Sequence, residues 1–203
     1  MKRWVPTFFI VLILILASGV PAAYGYNLLY AEQFYRLFRM NFYTYPEDAL
    51  ENIFWLERAL RADFANPLNA LARIEDEEDW ARYRSLFRMH VNLKLVEQYL
   101  LLASKYDKRN AYFFNEPWKE TNLKSLEKAR TIYSMADYYW EEALRWSAEV
   151  PSSFTVLEDV QFWEDENHRI RTGDLDYREI IDKHVNRVDE VIRTFEEMDE
   201  DTY

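Results

Sequence analysis

The fold class is indicated most clearly by residues 80–106, WARYRSLFRMHVNLKLVEQYLLLASKY. The stretch contains neither Gly nor Pro, the two residues that most often interrupt a helix. Its apolar residues recur at intervals of three and four positions, at Leu86, Met89, Leu93, Val96, Leu100 and Ala103. This spacing places them along one side of an α-helix. The stretch therefore predicts a single long amphipathic helix.

Prolines divide the chain on either side of this helix. Pro disrupts the interior of a helix but is tolerated in its first turn, so Pro46, Pro67, Pro117 and Pro151 mark boundaries. Between them the apolar residues again recur at three and four positions, and residues 68–74 fit one or two helical turns. The predicted helices are 26–43, 46–66, 80–106, 123–150, 155–171 and 177–198, with a loop over 107–122.

Glycine is scarce in this chain. The three glycines are Gly19, Gly25 and Gly173, whereas sheet-rich folds and phosphate-binding loops depend on Gly for backbone conformations with positive φ. Gly173 fits the position that ends a helix, and Asp174 or Asp176 can cap the helix that follows. We therefore predict an all-α fold of about five to seven helices in antiparallel hairpins.

The first 25 residues have the order of a secretory signal peptide. A positive start, Met1-Lys2-Arg3, precedes the apolar run 8–17, and Ala23-Tyr24-Gly25 fits the small-x-small pattern before a cleavage site. The alternative is an uncleaved N-terminal anchor over 4–26, with the positive residues on the cytoplasmic side. In both cases we expect the body of the protein in the periplasm or another extracytoplasmic space.

The acidic composition narrows the class of partner. The formal net charge is -11, and an acidic surface repels the phosphate backbone, so no nucleic-acid partner is expected. Membrane contact is expected only if the N-terminal segment is uncleaved. The chain has no cysteine, which excludes disulfides, thiolate nucleophiles and thiolate metal ligands.

Three of the predicted helices share a local pattern, a large apolar residue three positions before an alanine. The alanines are Ala59, Ala103 and Ala143, which lie 44 and 40 residues apart. A large and a small residue on one face let a neighbouring helix approach closely. Repetition of such a unit stacks helical hairpins into an array.

The segments AxxxWxxAL over 136–144 and WLERALRAD over 55–63 resemble the second helix of a tetratricopeptide repeat. The resemblance implies stacked hairpins that present an extended surface to other proteins. The spacing of the alanines exceeds the 34-residue period of that family, and an irregular helical bundle would give the same apolar stripes. Degenerate tetratricopeptide-like repeats and an irregular helical bundle therefore remain the two alternatives within the all-α class.

Two aromatic-rich segments, NEPWK over 115–119 and YYW over 138–140, resemble small exported proteins of spirochaetes. Several spirochaete proteins with tetratricopeptide-like repeats form the periplasmic collar around the flagellar motor. The resemblance implies a scaffold role in an envelope assembly.

The sequence contains none of the motifs that mark common enzyme classes. With one Gly after residue 25, neither a Walker loop nor a dinucleotide-binding fingerprint is present. Glu164, Asp165 and His168 are the nearest approach to a metal-binding or catalytic cluster, but an acidic cluster with one His on a helix is usually a solvated face. We therefore predict that the protein is not an enzyme and takes no metal and no cofactor, with a metal or enzyme site at these residues as the third hypothesis.

Aromatic residues make up 17% of the chain, and most of them are expected in the core. An aromatic loop is hard to bury whole, and exposed Tyr and Trp commonly anchor protein interfaces. The predicted partner-binding residues are Tyr112, Phe113, Phe114, Trp118 and Tyr138. Aromatic rings also stack on sugars, so a glycan or peptidoglycan binding module is the alternative.

The last predicted helix carries a seam of apolar residues, at Ile181, Val185, Val188, Ile192 and Phe195. The seam is expected either to pack on the neighbouring helices as a cap or to mediate self-association. The predicted organisation is a leader over 1–25, a helical-repeat-like domain over 26–150, and a C-terminal helical pair over 151–203 packed on it. The functional hypothesis is a non-enzymatic extracytoplasmic scaffold that binds protein partners in the cell envelope.

Overall fold

The structure, a computed structural model, describes residues 27–108, 118–152 and 156–199. These residues form six α-helices and, apart from two 3-10 turns and one isolated bridge between Tyr30 and Asp63, no other regular structure. The helices are α1 (Ala31–Thr44), α2 (Ala49–Arg61), α3 (Glu77–Ser104), α4 (Trp118–Ala148), α5 (Gln161–Thr172) and α6 (Tyr177–Glu197). The prediction of an all-α fold is confirmed.

Five of the helices form an antiparallel series in which each packs on the next. In the α3–α4 pair, Ser125 near the start of α4 donates to the Tyr106 carbonyl just beyond the end of α3. Trp146 near the end of α4 lies against Arg88 in the first half of α3. The same antiparallel arrangement relates α1 to α2, α2 to α3 and α4 to α6. Helix α5 packs on α3 and α4.

Aspartates begin three of the helices by capping the free backbone N–H groups of the first turn. Asp48 accepts from the Glu51 amide at 3.2 Å, and Asp76 accepts from the Asp79 amide at 2.9 Å. Asp176 caps α6, as the sequence predicted. Gly173 ends α5 with φ of 79°, a left-handed conformation that favours Gly.

The start of α4 differs from the prediction. The sequence pattern placed Trp118 in a loop that ended at residue 122, whereas α4 begins at Trp118. The Lys119 ammonium donates to the Met198 carbonyl at 2.7 Å, just beyond the end of α6. This first turn is thus held by contacts with α6, and apolar periodicity within α4 carries no signal for such contacts.

Three other predicted helices begin later than expected, since α1 starts at Ala31, α2 at Ala49 and α5 at Gln161. An apolar stripe indicates which face is buried, but the positions of helix ends depend on hydrogen bonds to the first turn. Leu50 lies in the first turn of α2 and is exposed to solvent.

The long helix predicted over 80–106 is α3, and it is the central element of the domain. Its buried residues lie on nearly all sides and include polar groups, because α2, α4 and α5 all pack on it. The buried polar side chains of α3 are Arg82, Ser85, His90, Asn92 and Gln98. Buried polar groups require hydrogen-bond partners, so these residues are the points where α3 makes specific contacts.

The apolar seam of α6 is occupied within the chain. Ile181, Val188 and Phe195 are almost completely buried, and Val185 and Ile192 pack partly buried against the same core. The seam faces α4, so its side chains pack on a neighbouring helix, which was one of the two expectations.

Within the described parts of the chain, no helix is both long and apolar enough to cross a membrane.

Candidate functional site

A cleft of about 330 Å³ opens where α2, α3 and α4 meet. Its wall on the side of α4 carries aromatic residues, and guanidinium groups project from all three helices. The lining residues are Glu57, Leu60, Arg61, Arg88, Asn92, Tyr138, Tyr139, Glu142, Arg145 and Trp146. The combination of a concave surface, aromatic rings and a few convergent polar groups is typical of binding sites.

Glu57 fixes one wall of the cleft. Its Oε1 accepts hydrogen bonds from the Tyr99 hydroxyl at 2.9 Å and from the Tyr139 hydroxyl at 3.0 Å, and its Oε2 pairs with Arg61 at 2.7 Å. The rings of Tyr99 and Tyr139 stack with centroids 5.3 Å apart. Burial raises the pKa of both tyrosines, so both hydroxyls stay protonated and donate to Glu57.

Trp146 forms the other wall, and two guanidinium groups lie against its ring. The guanidinium carbon of Arg88 lies 4.4 Å from the ring centroid, and that of Arg145 lies 4.2 Å from it. Arg88 also lies over the ring of Phe64, at 5.1 Å. These cation–π contacts hold the arginines without neutralising their charge.

The arginines of the cleft differ in their ion pairing. Arg61 pairs with Glu57, and Arg145 pairs with Glu142 and Glu149. For Arg88, no carboxylate among the described residues lies within 4 Å. Its half-buried position lowers the pKa of the guanidinium by desolvation, but an arginine remains charged at neutral pH. Among the described residues, Arg88 is therefore a cation of the cleft that is held against two rings with no carboxylate within 4 Å.

Asn92, one helical turn after Arg88, adds an unsatisfied acceptor. Only 1% of its surface is exposed, and its Nδ2 donates to the Arg88 carbonyl at 2.8 Å. Its Oδ1 is buried and has no hydrogen-bond partner among the described residues. An unpaired buried carbonyl is costly, so a donor that reached Oδ1 would gain a hydrogen bond.

The structure separates the predicted partner-binding residues that it describes. Tyr138 lies at the cleft and is 55% exposed. Trp118 is 59% exposed but lies at the start of the same helix, about 30 Å away at 1.5 Å per residue. Tyr112, Phe113 and Phe114 lie outside the described residues. Tyr138 and Trp118 therefore lie on two separate surfaces, and of the two only Tyr138 lines the cleft.

Sequence reasoning missed the other residues of the cleft. Arg88 and Asn92 lie four positions apart on α3, a spacing that places them on one helix face, and Trp146 lies 58 residues further along the chain. The i, i+4 spacing of a cation and an amide was visible in the sequence, but the approach of α4 to that face was not.

Glu164 does not lie on a solvated face, contrary to the expectation from its acidic surroundings. Its two carboxylate oxygens accept from Arg82 Nε and Nη2, each at 2.6 Å, and the pair is buried between α3 and α5. Asp165 and His168 are exposed on the other side of α5. Among the described residues, no group of three or more acidic or His side chains is arranged to hold a metal ion.

A second buried polar cluster surrounds His90. Its Nδ1 lies 2.5 Å from Glu166 Oε2, its Nε2 lies 2.7 Å from the Tyr35 hydroxyl, and its ring stacks on Trp163. A neutral imidazole fits these partners, because Nδ1–H donates to the carboxylate and Nε2 accepts from the hydroxyl. Burial lowers the pKa of His90. Since both ring nitrogens have partners, the cluster joins α1, α3 and α5.

This cluster predicts a loss of stability in mild acid. The unfolded His90 titrates near its ordinary pKa of about 6.5, whereas burial holds the folded pKa lower. Below about pH 6.5 the unfolded chain therefore binds more protons than the folded one, and acidification favours unfolding. We expect the free energy of unfolding to fall more between pH 7.5 and 5 in the wild type than in His90→Gln. Urea unfolding at each pH measures it, and parallel profiles would contradict the assignment.

Comparison with known proteins gives a family for the part of the chain that includes two of the three helices around the cleft. Residues 78–198 match the family described as "Domain of unknown function (DUF8513)", whereas no curated protein and no solved structure matches the chain. The matched part includes nearly all of α3 and all of α4, α5 and α6, and with them Arg88, Asn92, Tyr138 and Trp146. It also spans the predicted boundary at residue 150. Because the match covers more than half of the chain, this protein belongs to the family of the domain of unknown function DUF8513.

Proposed function

We propose that the protein is a non-enzymatic extracytoplasmic scaffold that binds a segment of another protein in the cleft between α2, α3 and α4. The observation that carries the proposal is the position of Arg88, which has no described carboxylate within 4 Å, one helical turn from the unsatisfied Oδ1 of Asn92. An extended peptide supplies both complementary groups, a carboxylate for the guanidinium and a backbone N–H for the amide oxygen.

The aromatic residues of the cleft support a peptide partner. Tyr138 and Trp146 lie beside the two polar groups, and large rings that bury apolar surface commonly provide most of the affinity at protein interfaces. The wall around Glu57 is held by two tyrosine hydroxyls and Arg61. A site whose side chains are already fixed loses less conformational entropy on binding.

We propose that the partner belongs to an assembly of the cell envelope. The support is the N-terminal sequence, whose order of charged, apolar and small residues is that of an export signal. The resemblance of 115–119 and 138–140 to exported spirochaete proteins makes the flagellar motor collar the first assembly to test.

Alanine variants of one residue on α3 and two residues on α4 test the site. Mild crosslinking in the native cell, followed by pull-down and mass spectrometry, measures which proteins each variant captures. Tyr138→Ala and Arg88→Ala are expected to reduce capture of the partner by about tenfold, because each removes an interface anchor worth roughly 1–2 kcal/mol. Trp118→Ala is the matched control, since Trp118 is equally exposed on the same helix but lies at its other end.

The outcomes separate the competing functions. Loss of capture in Trp118→Ala alone would move the binding surface to the aromatic segment before α4. Equal capture by all variants with unchanged melting temperatures would contradict the cleft proposal. Co-sedimentation with purified peptidoglycan, together with no captured protein above background, would instead establish the glycan-binding alternative.

A further inference from the structure

The outer side of α1 carries exposed apolar residues that no other part of the described chain covers. Met40 is 67% exposed and Tyr43 is 91% exposed. Phe42 is also exposed, and its ring stacks on Phe38 with centroids 5.5 Å apart, so it is held in place from the core side. Together with Arg36 and Arg39 these residues line an open concavity of about 790 Å³. Residues 36, 39, 40, 42 and 43 are called the α1 face below.

The α1 face continues into a second concavity towards α5. This cleft of about 390 Å³ shares Arg39 and Phe42 with the first and is lined further by Phe162 and Trp163. The apolar surface is therefore contiguous across two elements. Contiguous apolar patches that are rimmed by polar groups mark interaction sites on soluble domains.

The charge of the α1 face is opposite to that of the whole chain. The formal net charge is -11, and most arginines of the described residues pair with a carboxylate. The paired ones are Arg61, Arg73, Arg82, Arg84, Arg130, Arg145, Arg178 and Arg187. Arg36 and Arg39 are exposed, and no described carboxylate lies within 4 Å of either guanidinium. Two unpaired cations beside exposed rings fit an anionic, apolar partner.

The position of α1 in the chain favours a membrane as that partner. The apolar run 8–17 is separated from α1 by the thirteen residues 18–30. Thirteen residues reach at most about 45 Å when fully extended, which is roughly the thickness of one bilayer. If the apolar run is retained in a bilayer, this tether keeps the start of α1 within about 45 Å of the run.

We propose that the α1 face docks on an anionic lipid surface, with Arg36 and Arg39 on lipid phosphates and Met40, Phe42 and Tyr43 at the headgroup level. Amphipathic helices with basic and aromatic residues bind bilayer interfaces in this way, and each basic residue near an anionic surface contributes about a fivefold gain in binding. None of these five residues lines the cleft between α2, α3 and α4, so docking would leave that cleft open to a protein partner.

A single-cysteine fluorophore tests the docking, because the chain has no cysteine of its own. The full chain, residues 1–203, carrying Tyr43→Cys and an environment-sensitive label, is reconstituted into phosphatidylcholine vesicles with or without phosphatidylglycerol. Phosphatidylglycerol is expected to shift the emission to the blue and to expose the label to quenchers attached to lipid. A label at Thr194→Cys, on the exposed side of α6, is the control and is expected to show neither change.

Charge variants separate docking from simple proximity to the bilayer. Arg36→Gln and Arg39→Gln are each expected to lower the docking equilibrium about fivefold, with an unchanged melting temperature. Equal quenching at residue 43 in neutral and anionic vesicles would overturn the anionic lipid assignment. If protection of the label in detergent solution increases with protein concentration, the α1 face binds a second copy of the chain. That result would overturn the lipid assignment. A label that stays exposed to water in every vesicle would overturn docking altogether.

Discussion

Replacing Arg82 with alanine is expected to lower the free energy of unfolding by about 3–5 kcal/mol. Arg82 and Glu164 form a bidentate ion pair in which the side chains are only 10% and 8% exposed. Removal of the arginine leaves a carboxylate buried between α3 and α5 without its counter-ion. The cost is that of an uncompensated buried charge, which exceeds the net contribution of the intact pair.

The same substitution also removes the link between α3 and the segment before α5. The Arg82 guanidinium donates to the Pro151 carbonyl, and Glu164 Oε1 accepts from the Leu157 amide at 3.4 Å. Since Pro151 and Leu157 both contact this pair, the substitution is expected to weaken both contacts together. Urea denaturation followed by circular dichroism gives the free energy of unfolding directly.

An exposed ion pair provides the matched control. Arg130 pairs with Asp189 between α4 and α6 at 3.2 Å, with both side chains largely exposed to solvent. Because surface ion pairs contribute about 0–1 kcal/mol, Arg130→Ala is expected to change stability by less than about 1 kcal/mol. The double variant Arg82→Leu with Glu164→Leu is expected to recover most of the loss. A single Arg82→Ala variant as stable as the control would show that Glu164 is hydrated in solution.

Phe87→Ala is expected to destabilise the fold by about 3–5 kcal/mol through the cavity that it leaves. Phe87 is completely buried, and its ring is surrounded by four other rings. The ring centroids lie 5.2 Å from Phe64, 5.5 Å from Tyr35, 5.7 Å from Trp163 and 6.1 Å from Tyr83. These neighbours come from α1, α3, α5 and the segment after α2, so no single element can move to fill the space.

Thermal and urea denaturation of Phe87→Ala measure the effect, with Phe162→Ala as the control. Phe162 is mostly exposed on α5 although its ring also touches His90, so its loss is expected to cost about 1 kcal/mol or less. Comparable losses in the two variants would mean that the aromatic cluster around Phe87 is loosely packed. A loss of about 5 kcal/mol of unfolding free energy in Phe87→Ala would establish Phe87 as the centre of the core.

The all-α class and the location of most helices could be predicted from the sequence. Intervals of three and four between apolar residues, with one Gly beyond residue 25, admit helices and little else. The helix over 80–106 and the cap at Asp176 were predictable, because both depend on residues close together in the chain. Local hydrogen bonding and periodicity are properties of short segments, so a sequence displays them.

Which polar residues are buried, and which converge on one cleft, became visible with the packing of the helices. Glu164 looked like part of a solvated acidic face, yet it lies against Arg82, 82 residues earlier in the chain. Tyr138 was selected as an exposed aromatic, but its neighbours Arg88 and Asn92 were not. The physical reason is that these arrangements depend on how α2, α4 and α5 pack around α3. Contacts between distant segments leave no periodic signal in the sequence, since each helix is compatible with many partners until packing selects one.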